Sequence, residues 1–85
     1  AHKGLLLGRG NAAYALGQFS AAQQAYAQLV RAYPDFADGW NNLAQSLLDL
    51  NRREEARRAI DKAIALGGPR LGQYRDLQRR LSANP

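Results

Sequence analysis

Guanidinium and amide side chains are the groups in this chain best placed to do chemistry. Arg75 and Arg79 stand four residues apart, a spacing that lets two guanidinium groups point the same way from a helix and favours a carboxylate or an acidic side chain. Asparagine and glutamine amides both donate and accept, so they can hold an extended peptide backbone whatever its sequence. Arg52, Arg53, Arg57 and Arg58 form the densest basic cluster, which would suit phosphate. Interspersed Glu54, Glu55 and Asp61 lower its field, and no aromatic platform for stacking bases accompanies it. A solvated helix face accounts for it better, and nucleic acid is not an expected partner.

Catalysis finds no such footing. His2 is the sole histidine, no serine has a histidine and an acid in prospect, and no glycine-rich phosphate cradle appears. A metal site lacks its cluster of ligands. No catalytic residue, metal or cofactor is therefore expected. Asp35 and Asp38 border a helix start, where capping explains them.

The elements that must carry these groups are all helical. Sixteen alanines, the best helix formers, suit close helix–helix contacts in a chain of 85 residues, long enough for one domain. Five helices follow from the punctuation. The first runs roughly from Lys3 to Leu16 and stops at Gly17, a residue that accepts the left-handed conformation of a helix end. The second runs from Phe19 to Tyr33 and closes at Pro34. Asp35 is expected to cap the third, whose Trp40, Leu43, Leu47 and Leu50 follow the spacing of one apolar face. The fourth, Arg53 to Leu66, sets Ala56, Ile60, Ala63 and Ile64 on one side and ends at Gly67-Gly68-Pro69. The fifth, Arg70 to Ser82, turns Leu71, Tyr74, Leu77 and Leu81 inward.

No cysteine is present, so disulfides and thiolate ligands are excluded, which fits a reducing or an oxidising compartment equally. The net charge of +5 is spread over the later helices and is read as solvated surface. Leu5-Leu6-Leu7 is the longest apolar run, far below the ~20 residues that span a bilayer, so membrane insertion is not expected. No signal peptide is visible. The chain opens inside a helix without methionine and is read as a segment of a longer protein; its arginine-rich basicity suggests a bacterial source.

A fixed step of thirty-four residues relates Leu6, Trp40 and Tyr74, and it also carries Gly10 onto Ala44, Gly17 onto Asn51, Ala22 onto Ala56 and Tyr26 onto Ile60. Such a period marks a helical hairpin copied along the chain, each copy too small to bury its own apolar face. The second copy, with Trp40-x-x-Leu43-Ala44-x-x-Leu47 followed by Ala56, Ile60 and Ala63, resembles a tetratricopeptide repeat. The first matches through Leu6, Gly10, Ala13, Ala22, Tyr26 and Pro34, and departs at Arg9, where a leucine is usual. Gly68 departs from the family's proline, which stands one place later as Pro69. The resemblance implies an all-α solenoid in a single domain of residues 3–82: one repeat over about 3–36, another over about 37–70, and a capping helix over about 70–82. A narrower likeness lies in Asp38-Gly39-Trp40-Asn41-Asn42-Leu43-Ala44-Gln45 and Ala65-Leu66-Gly67-Gly68-Pro69-Arg70. These stretches look like the C-terminal repeat region of bacterial envelope proteins that carry a papain-like, bacteriocin-processing type cysteine peptidase domain upstream. That likeness favours the cell envelope over the cytoplasm and makes this segment an appendage.

What the family resemblance implies for function is a protein–protein interaction module. Its concave groove would be lined by Leu7, Asn11 and Tyr14, then Asn41, Asn42, Gln45, Leu48 and Asp49, then Arg75, Arg79 and Ser82. Asn11 and Asn42 fall on the two asparagine positions of the family's carboxylate clamp, but its three cationic positions hold Leu7, Gly72 and Asp76, so that clamp is not built. The asparagines also suit backbone and interhelix hydrogen bonds, the commonest fate of such side chains. Trp40, Tyr26 and Tyr74 are expected to pack between helices, whereas Tyr14, on the groove side, is a candidate anchor. The expected partner is a protein or peptide; the rivals are self-association, packing on the parent protein, or service to an upstream peptidase.

Overall fold

The computed structural model describes residues 2–83, and within them five helices follow one another: α1 (Lys3–Ala15), α2 (Phe19–Ala32), α3 (Ala37–Asp49), α4 (Arg53–Leu66) and α5 (Leu71–Ala83). Each packs against its neighbours in sequence, and α3 also meets α5. The stack measures 34 × 26 × 17 Å.

The hairpin turns repeat with the period. After α1 the Gln18 N–H donates to the Ala13 carbonyl and the Gly17 N–H to that of Tyr14, both at 2.9 Å. After α3 the Arg52 N–H reaches Leu47 and the Asn51 N–H reaches Leu48, both at 2.8 Å. This double closure needs a left-handed residue between its two donors. Gly17 supplies it with φ 76° and Asn51 with φ 61°. The entry to α3 differs from expectation: its N-cap is Phe36, without a side-chain cap hydrogen bond, so Asp35 does not cap it.

One apolar cluster runs through the whole stack, from Leu6 through Tyr26, Leu29, Leu43 and Ile60 to Tyr74, Leu77 and Leu81. Close approach governs its first hairpin: a Cβ on Gly10 would stand 2.6 Å from Tyr26 Cδ1, so only glycine leaves room for the ring. Arg9 does not distort α1; the helix is continuous there and the side chain is exposed.

Trp40 packs against the helices as expected, but less deeply. It lies at the edge of the core and is only partly buried, unlike Leu6 and Tyr74 at the same repeat position. Its indole N–H requires a partner and finds the Pro34 carbonyl at 2.9 Å. That bond anchors the polar edge at an exposed loop. A correction concerns the basic cluster. Arg53 and Arg57 are half-buried and donate to the Leu81 carbonyl at 2.9 and 2.8 Å, so they close the end of α5 instead of facing only water. Arg52 pairs with Glu55 and Arg57 with Glu54 on the same helix.

Candidate partner-binding site

Polar side chains from the first helices of the two hairpins meet along a seam between α1 and α3. α1 contributes Asn11 and Tyr14, three residues apart and so on one face; α3 contributes Asn42 and Gln45 in the same relation. With Tyr26 of α2 they line a recess of about 150 Å³. Tyr26 donates its hydroxyl to Asn11 Oδ1 at 2.6 Å, and Asn42 Nδ2 donates to the same oxygen over a long 3.5 Å. Asn41 Nδ2 donates to Asn42 Oδ1 at 3.4 Å. Asp49, one turn beyond Gln45, accepts from the Tyr14 hydroxyl and, at 3.4 Å, from Gln45 Nε2. The Tyr14 ring leans on Phe19, centroids 5.1 Å apart.

Protonation follows from this arrangement. Burial pushes the Tyr14 phenol up to about 12, with the Asp49 carboxylate adding to the rise through its hydrogen bond and its charge. Burial raises that of Tyr26 as well. Both hydroxyls thus stay protonated and act as donors, that of Tyr26 occupying the Asn11 oxygen and that of Tyr14 the Asp49 carboxylate.

Of the residues singled out in the sequence, Asn11, Tyr14, Asn42 and Gln45 share this recess, and Asn41 and Asp49 are bonded to its rim. Arg75 and Arg79 are not part of it. Both are exposed on α5, and Arg79 forms an ion pair with Asp76 one turn back. Their relation to the recess is one of register: Arg79 stands thirty-four residues after Gln45 and Arg75 thirty-four after Asn41.

Two side chains have roles that their place in the sequence does not show. Tyr26 has the spacing of a core residue and is 3% exposed, yet its hydroxyl reaches the recess. Gly10, which alone admits the ring, was the available signal. Asp38 looked like a cap, but its carboxylate accepts from the Tyr74 hydroxyl and from Arg70 Nη1, each at 2.5 Å, and so joins the start of α3 to the start of α5. Burial, with Asp38 as the second cause, pushes the Tyr74 phenol up to about 12. Among the described residues no group of His, Cys, Asp and Glu is disposed to hold a metal ion, and no helix is long and apolar enough to cross a membrane.

Helical hairpins on a thirty-four-residue step, closed by matching left-handed turns and sharing one core, set the fold; a sequence model decides its family. The model of the tetratricopeptide repeat matches residues 7–80. The chain belongs to that family. No curated protein matches it. Tetratricopeptide repeats generally mediate protein–protein interactions and are typically non-catalytic. The match lies within the repeats and bears on no neighbouring peptidase domain.

Proposed function

We propose that this tetratricopeptide domain captures an extended peptide segment of a partner protein along the seam of α1, α3 and α5. The observation that carries the reading is the amide-lined recess at the α1–α3 seam. There Asn11 Nδ2 and Gln45 Oε1 offer a donor and an acceptor with no intramolecular partner among the described residues. A peptide backbone presents the complementary pair, a carbonyl and an N–H, at every residue. Tyr14 adds a rigid amphipathic wall, a type of side chain that anchors interfaces at low entropic cost. Arg75 and Arg79, further along the seam by register, would favour an acidic residue downstream in the guest.

Panning a random peptide library on the immobilised domain tests this. Peptides enriched on the natural sequence should lose about tenfold or more in affinity on Asn42→Ala/Arg79→Ala, the scale on which removing an interface anchor acts. Both changes lie outside the fully buried core, so the fold should survive them. Equal retention by the double variant would place the binding surface elsewhere.

A further inference from the structure

The side of α3 that faces away from the recess bears a different surface. Positions 42, 45 and 49 lie roughly 180° around the helix from 40, 43 and 47. There Trp40 stands over a hollow of about 230 Å³ whose floor is Leu43, Leu47 and Ala59, all buried. Its rim is charged: Arg58 and Lys62 of α4 line it, together with Glu55. Glu55 is already held by Arg52 at 2.8 Å, whereas neither Arg58 nor Lys62 stands in an ion pair among the described residues. Lys62 Nζ lies 5.7 Å from the centre of the Trp40 ring, a cation resting on an aromatic wall that is itself only partly buried.

We propose that this hollow is a second binding site, which takes one leucine-sized side chain from an acidic segment of a partner protein while flanking carboxylates pair with Arg58 and Lys62. Size, floor and charge each support the choice. At about 230 Å³ the hollow is smaller than the ~300–1,000 Å³ of small-molecule pockets and suits a single side chain. An apolar floor gains nothing from a phosphate, and Lys62 covers the indole face on which a base would stack. At the rim two cations face one carboxylate, Glu55, which Arg52 already holds and on which Arg58 also acts, so the rim keeps a cationic excess that complements carboxylates. The first hairpin supplies a contrast: its matching hollow has Ala13, Gln24 and Gln28 where the second has Leu47, Arg58 and Lys62. The apolar floor and the pair of rim cations belong to the second hairpin, whereas the first hollow has a single cation, Arg9, in the place of Leu43.

Trp40 is the only tryptophan, so its emission reports the site directly. The probe is a blocked pentapeptide with a central leucine flanked on each side by two aspartates, titrated by fluorescence and calorimetry beside its asparagine counterpart. The acidic peptide should give a saturable blue shift, and the asparagine peptide should bind about tenfold or more weakly. Arg58→Gln/Lys62→Gln should cost the acidic peptide at least as much, whereas Gln24→Glu/Gln28→Glu, the same change of net charge placed in the first hairpin's hollow, should leave its affinity unchanged. Thermal unfolding accompanies each variant, and Lys62→Gln, which keeps a stem over Trp40, replaces the double variant if that one loses its fold. Equal binding of the two peptides, equal loss in both double variants, or displacement of the acidic peptide by a nucleic-acid duplex at lower charge concentration would overturn the proposal.

Discussion

In the first hairpin the ring of Tyr26 lies across Gly10; at the matching positions of the second stand Ile60 and Ala44, both fully buried. The two volumes change in opposite directions and their sum is kept, a smaller residue on the first helix beside a larger one on the second. The difference has a chemical consequence. A tyrosine long enough to cross the core delivers its hydroxyl to Asn11 in the recess, which isoleucine cannot do. The second hairpin is instead distinguished on its other side, where Leu43 and Leu47 replace Arg9 and Ala13 and open an apolar hollow beside Trp40. One backbone repeat thus carries a polar feature on one surface and an apolar one on the opposite surface, and the choice is made by which residues share the core.

The most severe way to break this comparison is Gly10→Ala. A methyl group there meets a ring that is buried and held at its hydroxyl, so it has nowhere cheap to move. A loss of about 3 kcal/mol, the upper end of overpacking costs, is expected in chemical denaturation. Gly10→Ala combined with Tyr26→Ile rebuilds the second hairpin's pair and should recover at least about 1 kcal/mol relative to the sum of the single changes. Strict additivity would mean that the two residues are not coupled.

Trp40→Ala comes next. Deleting a fully buried aromatic costs about 3–5 kcal/mol, but this ring is only partly buried, and about 2 kcal/mol is the expected loss. A loss at the fully buried value would mean that its environment in solution is closer to that of Leu6 and Tyr74.

The period was legible because its constraints are local. A left-handed turn accepts glycine or asparagine and little else, so Gly17 and Asn51 announce two helix ends thirty-four residues apart. The apolar spacing likewise fixes which face of each helix turns inward. What spacing cannot give is the partner of a polar side chain. Asp38 reaches Arg70 and Tyr74, thirty-two and thirty-six residues away, although its place at a helix start suggested a cap. Arg53 and Arg57 reach the last carbonyls of α5 because α4 and α5 pack together, not because of anything in their own segment. Within the candidate site, Asn11, Tyr14, Asn42 and Gln45 were readable from the register, whereas Arg75 and Arg79 lie apart from the recess on α5. A helix face could be assigned in the sequence; a distance between faces could not.

The smallest effect sharpens the comparison through protonation. Tyr14, on the groove side of the first hairpin, and Tyr74, at the start of α5, each donate to a carboxylate, and both phenols are pushed up to about 12. An ordinary tyrosine titrates near 10. Between these values the unfolded chain has released protons that the folded chain still holds, so stability must fall as pH rises. The contribution is fully present below about pH 10 and is lost as pH climbs toward about 12. Phenolate absorbance of the folded domain should accordingly show a late-titrating component that shrinks in Tyr14→Phe/Tyr74→Phe to what Tyr26, also raised by burial, leaves. Denaturation midpoints of that variant should decline less steeply over the same window. If the late component persisted undiminished without these two hydroxyls, neither burial nor the carboxylates of Asp49 and Asp38 would be holding the Tyr14 and Tyr74 protons, and both rings would have to be more open to water than their places in the stack imply.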